Sequence, residues 1–490
     1  MSGMVLETDY LIIGAGAVGL AFADTLFDED PDAHITFVDM HAKPGGHWND
    51  AYSFVALHQP SAFYGVNSME MGEDRLDDHG PNTGFYPLAS GGEVSAYFEQ
   101  LMNRRFLPSG RVRYFPLSEY LEGGDPGTAR FRNILSGVES KIKVRRKTVD
   151  ATYYKTSVPA THKRKFEVAG STQLAIPGDL PDLWKRGQNL PEHYVILGAG
   201  KTAMDVGVWL LLAGVDPDAI SWVRPRESWL MNRRYTQPGA DFFEDSVGVQ
   251  IAHMKAAETA KSGDDLCAKL GEDGFMLRLD PDATPEMFHY ATISEGEVEL
   301  LRKIKNIIRH GRVTAVAPGG MTFADTKETV PENSLFIDCT ATAVDFRAHN
   351  KTTPIYDGER ITLQALHVPL VTFSAAIAAF IEANFDNDEQ KNALARPGPL
   401  TDTPNTYPLA FLSNMLNRGA WSQDPKIATW LAKSRLDPIG PTIAKLMAEG
   451  SPKLAALGQF QAAIPEGMAG FQRLSEAARA EHKEMAVAAE

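Results

Sequence analysis

The stretch "DYLIIGAGAVGLAFADTLF", residues 9–27, decides the fold class. Residues 10–13 form a short apolar run of the kind found in a buried parallel strand. Gly14, Gly16 and Gly19 follow with G-x-G-x-x-G spacing, and a helix-compatible segment comes next. A strand, a glycine turn and a helix in this order predict the opening of a Rossmann-like α/β unit.

The glycines and the next strand together predict a dinucleotide site. Gly14 permits a tight turn, Gly16 lets the backbone approach a pyrophosphate, and Gly19 lets the helix pack on the strand. The helix N-terminus adds unpaired N–H groups and a favourable dipole for phosphate. The second apolar run, residues 34–40, contains Asp39 at its end, twenty residues after Gly19. A carboxylate at that position accepts hydrogen bonds from the hydroxyls of an adenine ribose.

A second stretch, "HYVILGAGKTAMDVGVWLL" at residues 193–211, repeats this plan. Gly198 and Gly200 form the turn, and an alanine takes the place of the third glycine. We expect this turn, with Lys201 and Thr202, to hold a second dinucleotide. Lys201 either adds positive charge beside the pyrophosphate or is an ordinary lysine of a first helical turn.

The second unit differs from the first at the end of its second strand. Arg224 and Arg226 follow that strand where the first unit has Asp39. Guanidinium groups bind a 2′-phosphate that a carboxylate would repel, so this unit favours NADPH over NADH. The alternative is that both arginines are solvated surface charges. Two dinucleotide sites in one chain indicate a bound flavin and a nicotinamide that reduces it, in two domains that face each other.

Composition narrows the class of protein. The chain has 490 residues, a formal net charge of −15 and a pI of about 5.4. This charge speaks against a nucleic acid or an anionic membrane as partner. Cys267 and Cys339 are far apart, which excludes a CxxC redox centre and a cysteine-based zinc site, and we predict no metal. Without a visible signal peptide or an apolar run long enough to span a bilayer, we expect a cytoplasmic protein.

Three segments carry a family resemblance. "KPGGHW" at residues 43–48 looks like the G-G-x-W segment of the flavin-containing and Baeyer–Villiger monooxygenases. "ALHQPSAFYGVNS" at residues 56–68 is similar to their active-site segment, and "WVRPRESWLMNRR" at residues 222–234 to the strand and loop that hold the 2′-phosphate. The chain thus resembles a divergent member of that family of flavoproteins with two dinucleotide-binding domains.

The resemblance implies cofactor and catalytic roles for particular residues. FAD and NADPH are the implied cofactors, and a small organic substrate and O2 the implied partners. The residues implied at the flavin are Gly45, Gly46, His47, Trp48 and Ser61. His58 and Gln59 are implied as hydrogen-bond donors beside its reactive edge, and Arg233 as a cation that holds the nicotinamide or a peroxide. His58 is alternatively a structural histidine, and Arg233 alternatively completes the 2′-phosphate site.

The resemblance also implies the domain order. We expect an α/β chain of two Rossmann-like domains, a β-meander and a mostly helical C-terminal region. Residues 1–185 are assigned to the first part of the FAD-binding domain. Residues 186–330 are assigned to the NADPH-binding domain with a helical insertion at about 241–307, and residues 331–490 to the return and the helical region.

Local patterns place the remaining elements. Residues 141–170 read as two or three strands with a turn near 158–163. The apolar run near Ile337 is interpreted as a strand that re-enters the first domain. Residues 471–490 have the composition of a solvated terminal helix.

Three functions are compatible with these features. The first is an FAD-dependent oxidoreductase, reduced by NADPH, that acts as a monooxygenase through a C4a-peroxyflavin. The second is an NADPH-linked flavin dehydrogenase or oxidase without a stable peroxyflavin. It is favoured because residues 183–200 lack the F-x-G-x-x-x-H-x-x-x-W/P spacing of the monooxygenases. The third is a non-catalytic flavin-binding protein. The intact second glycine turn disfavours it, because such a protein has no need of a nicotinamide site.

Overall fold

A computed structural model describes residues 6–123, 127–344 and 352–487 of the chain. Its strands are β1 (Leu6–Ile13), β2 (Ile35–Val38), β3 (Val112–Phe115), β4 (Ser118–Leu121), β5 (Thr128–Asn133), β6 (Glu139–Asp150), β7 (Glu167–Val168), β8 (Gln173–Ala175), β9 (His193–Leu197), β10 (Ile220–Val223), β11 (Ser228–Asn232), β12 (Met276–Leu277), β13 (Met287–Ile293), β14 (Asn306–Ile308), β15 (Ala315–Ala317), β16 (Gly320–Thr322), β17 (Lys327–Thr329), β18 (Ser334–Asp338), β19 (Tyr356–Asp357) and β20 (Arg360–Thr362).

The α-helices alternate with strands in the first part of the chain and dominate its last part. They are α1 (Ala17–Glu29), α2 (Gly91–Leu101), α3 (Lys201–Leu212), α4 (Phe243–Thr259), α5 (Gly263–Glu272), α6 (Glu295–Leu301), α7 (Val371–Asn384), α8 (Asp388–Leu394), α9 (Tyr407–Gln423), α10 (Pro425–Leu431), α11 (Gly440–Ala448) and α12 (Ala455–Val487). Within the described ranges, no helix combines the length and the apolar character needed to cross a bilayer.

The first sheet is built around the strand that carries the first glycine turn. Its order is β19-β20-β6-β1-β2-β3, and the strands from β20 to β3 run parallel. Helix α1 follows β1 directly and packs against α7. Strands β4, β5 and β6 form an antiparallel meander on this sheet. We call this sheet and its helices the first unit.

The second sheet repeats the arrangement around the second glycine turn. Its order is β14-β10-β9-β18-β8, and all of these strands are parallel. Helix α3 follows β9 as α1 follows β1. We call this sheet, with the smaller sheet β12-β11-β13 beside it, the second unit. The predicted α/β class with two Rossmann-like units is confirmed. The meander was expected within residues 141–170, but it is formed by β4, β5 and β6 between residues 118 and 150, and β7 pairs with β15 in a separate sheet.

Strand β18 lies in a different sheet from the one that the sequence suggested. It pairs with β9 and β8 in the second unit, and the chain returns to the first sheet only at the hairpin of β19 and β20. All five residues of Ser334–Asp338 are buried. A continuous apolar run indicates that a strand is buried, but it does not indicate which sheet the strand joins. Residues 345 and 346, the end of the strand expected from the sequence, lie outside the described residues.

The terminal helix was expected to be solvated, and this expectation is wrong for its middle part. Phe471 and Leu474 of α12 are buried, and the helix packs against α4. A Cβ on Gly470 would lie 2.2 Å from the carbonyl oxygen of Ala257 in α4, so the two backbones touch. Phe471, Leu474 and Ala478 have the i, i+3, i+7 spacing of a buried helix face, but the polar and charged residues around them outweighed this signal in the sequence.

The contact between α12 and α4 generates a stability prediction. Gly470→Ala should lower the free energy of unfolding by about 2 kcal/mol, because the added methyl group overpacks the helix contact. Gly458→Ala on the same helix is the control, because nothing lies within 4 Å of its Cβ position. It should raise the free energy of unfolding by about 0.5–1 kcal/mol through helix propensity. Urea unfolding measures both, and equal effects would contradict the packing.

Candidate functional site

In the first glycine turn, close contacts require glycine at two positions, whereas the third glycine has no close contact. Gly14 has φ +95°, and a Cβ there would lie 2.8 Å from the side chain of Thr152. A Cβ on Gly19 would lie 2.2 Å from the carbonyl oxygen of Gly14. A Cβ on Gly16 would meet only Gly46, at an ordinary distance of 3.5 Å. The fold therefore requires Gly14 and Gly19, whereas the bare backbone at Gly16 leaves room for a ligand.

The segment around Gly45 and Gly46 lies directly on this turn. The amide of Gly45 donates to the carbonyl of Ala15 at 2.8 Å. Gly46 has φ +58°, and a Cβ on it would lie 3.0 Å from the Cα of Gly16. Only glycine fits both the backbone conformation and this approach. The two glycine motifs, 30 residues apart in the sequence, therefore form one surface of bare backbone.

Trp48 connects this surface to the second predicted active-site segment. Its indole Nε1 donates to the hydroxyl of Tyr64 at 2.8 Å. The ring of His47 stacks on that of Trp48 with centroids 5.5 Å apart. Burial, with the nearby charge of His41, lowers the pKa of His47 to about 4, so this imidazole is neutral at pH 7. Residues 45–48 and 61–64 are thus brought together as predicted.

Asp39 is held by the turn and by a histidine that the sequence did not single out. Its Oδ2 accepts from the amide of Ala15 at 2.6 Å, and its Oδ1 from the amide and Nδ1 of His41 at 2.7 and 3.0 Å. Nε2 of His41 lies 2.9 Å from Oδ2 of Asp50. The hydrogen bond to Asp39, followed by that to Asp50, raises the pKa of His41 to about 9 despite its burial. An imidazolium therefore bridges the two carboxylates.

The surroundings of Asp39 fit an unphosphorylated ribose. Oδ2 accepts a single hydrogen bond and can accept another, and the residue is buried. The hydroxyl of Tyr114 on β3 is buried without a hydrogen-bond partner among the described residues. Its pKa is raised by burial and by the charge of Asp39, which places the two groups close together. Ribose hydroxyls at this point would supply donors for Asp39 and a partner for Tyr114.

The second turn is more open than the first. Gly198 has φ +119°, and a Cβ there would lie 2.6 Å from the carbonyl oxygen of Cys339. No described atom lies within 4 Å of a Cβ on Gly200. Helix α3 starts after Gly200 without a side-chain cap. The backbone N–H groups of its first turn are therefore placed to bind an anion.

Arg224, predicted to bind a 2′-phosphate, is 5% exposed and already paired. One guanidinium nitrogen lies 3.3 Å from Glu227 and 3.9 Å from Asp280. Its Nε is buried and lacks a hydrogen-bond partner among the described residues. The alternative of a solvated surface charge is therefore wrong for Arg224. The orphaned Nε fits an additional acceptor, such as a phosphate oxygen.

Two further residues belong to this region. Arg309, at the end of the neighbouring strand β14, contacts the same two carboxylates, at 3.0 Å for Glu227 and 2.5 Å for Asp280. No local pattern points to Arg309, because its proximity depends on the pairing of β10 with β14. Arg226 is half-buried, and its charge helps to lower the pKa of His289, which burial lowers to about 4.

Lys201 lies in a buried group of charged residues rather than in solvent. Its ammonium donates to Oδ1 of Asp205 and lies 3.6 Å from Oε1 of Glu297. The hydroxyl of Tyr52, from the first unit, donates to Oδ2 of Asp205 at 2.7 Å. Thr202 shares a hydrogen bond with this hydroxyl.

The same group of charged residues extends through Arg233 to His58, in the active-site segment of residues 56–68. Arg233 donates from Nη1 to Glu297 at 2.5 Å and to Asn82 at 3.1 Å, and from Nε to the carbonyl oxygen of His58 at 2.9 Å. Tyr52, Lys201, Asp205, Arg233 and Glu297 thus form a chain of contacts that begins and ends on residues 52–58. We call these five residues the interface cluster.

Electrostatics favour the charged forms of Glu297 and Lys201, whereas burial raises the pKa of Asp205. Burial alone would raise the pKa of Glu297, but Lys201 and Arg233 lower it to about 2. The carboxylates of Asp205 and Glu297 likewise raise the pKa of Lys201 against the effect of its burial. Burial and the two cations lower the pKa of His58 to about 3. His58 is therefore a neutral imidazole near the two cations Lys201 and Arg233 and the carboxylate of Glu297.

The other predicted residues have simpler places. Oγ of Ser61 donates to the carbonyl of Pro87 at 2.8 Å and accepts from the amide of Ala89 at 2.7 Å, so it fixes the segment. Gln59 is half-buried. The described residues bring no three histidine, cysteine, aspartate or glutamate side chains into a metal-binding cluster.

Sequence reasoning missed Asp205 and Glu297, and it named Tyr52 only as one of several aromatic residues that line a pocket or pack in the core. Asp205 had a weak signal, because it lies four residues after Lys201 on a helix and therefore on the same face. Glu297 forms a capping box with Ser294, a pattern that marks a helix start but not a contact with Arg233. No local signal joins Tyr52 to a residue more than 150 positions away.

Comparisons with known proteins identify close relatives. No protein-family model matches the chain. It is 40% identical over 470 residues to the uncharacterized protein Rv2000 of Mycobacterium tuberculosis and, equally, to Mb2023 of Mycobacterium bovis. The alignment covers 95% of this chain and 84% of each relative. The chain belongs to the family of these mycobacterial proteins.

Solved structures resemble this member of the mycobacterial family more distantly. They include a polycyclic ketone monooxygenase of Thermothelomyces thermophila (12% identity, TM-score 0.49, 97% of this chain and 88% of the other). They also include a flavin-containing monooxygenase of Stenotrophomonas maltophilia (16%, 0.41, 77% and 98%) and a bacillithiol disulfide reductase of Bacillus cereus (13%, 0.42, 77% and 99%). Flavin-containing monooxygenases, which the motifs resemble, are thus among these structures. At these identities and scores, the likeness assigns neither cofactor nor reaction.

The bridge from Asp39 through His41 to Asp50 predicts a pH dependence of stability. The folded protein holds the pKa of His41 at about 9 against 6.5 for the free side chain. Its contribution is therefore complete below pH 6.5 and is lost as the pH rises through about 9. With allowance for partial exposure, the loss should be about 2 kcal/mol.

The His41→Gln variant tests this directly. Urea unfolding of the wild type should show the alkaline loss of stability, and the variant should show a flatter profile over the same range. His310→Gln, at an exposed histidine of the second unit, is the control and should keep the wild-type slope. An unchanged slope in His41→Gln would contradict the imidazolium bridge.

Proposed function

We propose that this protein is an FAD-dependent oxidoreductase that is reduced by NADPH. One observation carries the proposal: the segment of residues 46–58 contacts both the first glycine turn and α3, the helix that follows the second turn. Gly46 lies against Gly16 of the first turn, and Tyr52 bonds Asp205, one helical turn after Lys201 at the second. Two nucleotide-binding turns joined by so short a segment suit a reaction between two bound dinucleotides.

Both cofactors have residues that suit them. The pyrophosphate of FAD would be held by Gly14, Gly16, Gly46 and the backbone N–H groups at the N-terminus of α1. Its adenine ribose would be bound by Asp39. Gly198, Gly200 and the first turn of α3 would hold the pyrophosphate of NADPH, with Arg224 at the 2′-phosphate. When bound, the flavin supplies the redox chemistry, since it accepts a hydride from the nicotinamide and reacts with O2 when reduced. The nucleotide-binding part of the second unit would extend from β8 to β18.

The chain's own residues would orient the reactants and exclude water. Trp48 and Tyr64 close the segment over the first turn through their hydrogen bond. His58 stays neutral, so it would donate a hydrogen bond without adding charge. Gln59, next in the chain, would be a second neutral donor. Such donors would act in a site with little water, where each hydrogen bond is stronger.

We propose further that the enzyme is a monooxygenase that acts on a small organic substrate with O2. The segments 43–48 and 56–68, which resemble those of flavin-dependent monooxygenases, support this proposal. The second candidate is an NADPH-linked dehydrogenase or oxidase. Arg233, the cation expected to hold a peroxide, favours this candidate. It is 0% exposed, and its guanidinium is already occupied by Glu297, Asn82 and the backbone of His58, so it is not free to bind a peroxide.

A rapid-mixing experiment tests the function and separates the two candidates. The purified protein is reduced with NADPH under anaerobic conditions and then mixed with O2, while the flavin spectrum is recorded. A transient species between the reduced and oxidised spectra would support the monooxygenase. Direct return to the oxidised spectrum would favour the dehydrogenase or oxidase. A protein that binds no flavin, or whose flavin NADPH does not reduce, would contradict the proposal as a whole.

The open face of Gly200 yields a matched pair of variants. Gly200→Ala should leave the melting temperature unchanged, because its φ is −80° and its Cβ would contact no described atom. It should raise the Kd for NADPH at least about tenfold, which corresponds to about 1.4 kcal/mol, because the methyl group would occupy the path of the pyrophosphate. Gly419→Ala on α9, also without a contact at its Cβ, should leave the Kd unchanged. Titration calorimetry measures both, and an unchanged Kd in Gly200→Ala would place the pyrophosphate elsewhere.

A further inference from the structure

Asp205 connects the two units through both of its carboxylate oxygens. Oδ1 accepts from the ammonium of Lys201, the residue that follows the second glycine turn. Oδ2 accepts from the hydroxyl of Tyr52, 2.7 Å away in the segment that lies on the first turn. A single carboxylate, 12% exposed, therefore lies between a residue beside one predicted cofactor and a residue beside the other.

The contact extends along one face of α3. Lys201, Asp205 and Trp209 are spaced at four-residue intervals, which places them on the same side of the helix. Phe54 stacks on Trp209 with ring centroids 4.9 Å apart and an interplanar angle of 22°. Tyr52 and Phe54 thus dock side by side on the face of α3 that begins at the glycine turn.

Charge at the second turn would change the bonds of Asp205. A pyrophosphate there would compete with Asp205 and Glu297 for the ammonium of Lys201. The carboxylate of Asp205 would then depend more strongly on its other donor, Tyr52. Since the interface cluster is buried, these electrostatic changes are little screened by water.

We propose that Asp205 is a positioning residue which couples occupation of the second glycine turn to the segment 46–58 beside the first. This inference rests on the proposed function. Lys201 senses the pyrophosphate, Asp205 transmits its displacement, and Tyr52 fixes the segment. Occupation of the nicotinamide site would in this way tighten the surface on which the flavin lies before the two rings react.

Hydrogen exchange of the full-length protein, with NADP⁺ as the probe, tests the coupling without catalysis. In the wild type, NADP⁺ should slow exchange in peptides from the second turn, residues 198–206. It should also slow exchange severalfold in peptides covering residues 47–58. Protection at 198–206 without any at 47–58 would overturn the inference and leave the proposed function standing. Absence of protection at 198–206 would remove the nicotinamide site itself, and the inference with it.

The Tyr52→Phe variant removes one hydroxyl and changes no charge. It should keep the protection at 198–206 and a Kd for NADP⁺ within about threefold of wild type, but lose the protection at 47–58. Flavin reduction by saturating NADPH should slow about tenfold, a loss in rate rather than in affinity. Tyr120→Phe on β4, in the meander, is the control and should behave as wild type.

Asp205→Asn provides a second variant should Tyr52→Phe be unstable. Its amide oxygen can still accept from Tyr52, but it no longer attracts Lys201. The response at 47–58 to NADP⁺ should therefore also be lost. Retention of the wild-type response in either folded variant would overturn the role of Asp205.

Discussion

Arg233 has no solvent-exposed surface, so the protein must supply every partner of its guanidinium. It takes two from Glu297 and the carbonyl of Thr292 in the second unit, and two from His58 and Asn82 in the first. Breaking such a buried pair typically costs about 3–5 kcal/mol, because the remaining charge keeps its desolvation penalty. The relative position of the two sheets is therefore fixed by charge as well as by apolar packing. Together with the contacts of Tyr52 and Phe54 on α3, this side chain sets the distance between the two glycine turns.

The same balance of charges recurs at each predicted cofactor contact. Asp39 is matched by His41, Arg224 by Glu227 and Asp280, and Lys201 by Asp205 and Glu297. None of these sites presents a large net charge to a ligand. Binding of an anionic cofactor would then draw mainly on backbone N–H groups and on the close approach that glycine permits. This arrangement suits a chain whose formal net charge is −15, since specificity does not require a strongly positive surface.

The sequence predicted those parts of the fold and site that are encoded locally. The strand, glycine turn and helix lie within about twenty residues, and both turns have the predicted geometry at Gly14, Gly19 and Gly198. It failed where the answer depended on pairing between distant segments. The apolar run at Ser334–Asp338 does not indicate which sheet it joins. The sequence around Lys201 does not indicate that Tyr52 bonds Asp205, the partner of Lys201. The burial of Arg224 was missed for the same reason, because Glu227 is local but Asp280 and Arg309 are not.

The contact between α12 and α4 bears on how the chain folds. Helix α4 ends at Thr259, but the residues that cover its buried face, Gly467 and Gly470, are synthesised much later. Until they emerge from the ribosome, the apolar surface around Met254 has no native cover. Contacts of such long sequence separation slow folding and prolong the exposure of aggregation-prone surface. Helix α4 is therefore expected to reach its final packing only after α12 has been synthesised. Until then, its exposed apolar surface is the part of the chain at which we expect a chaperone to bind.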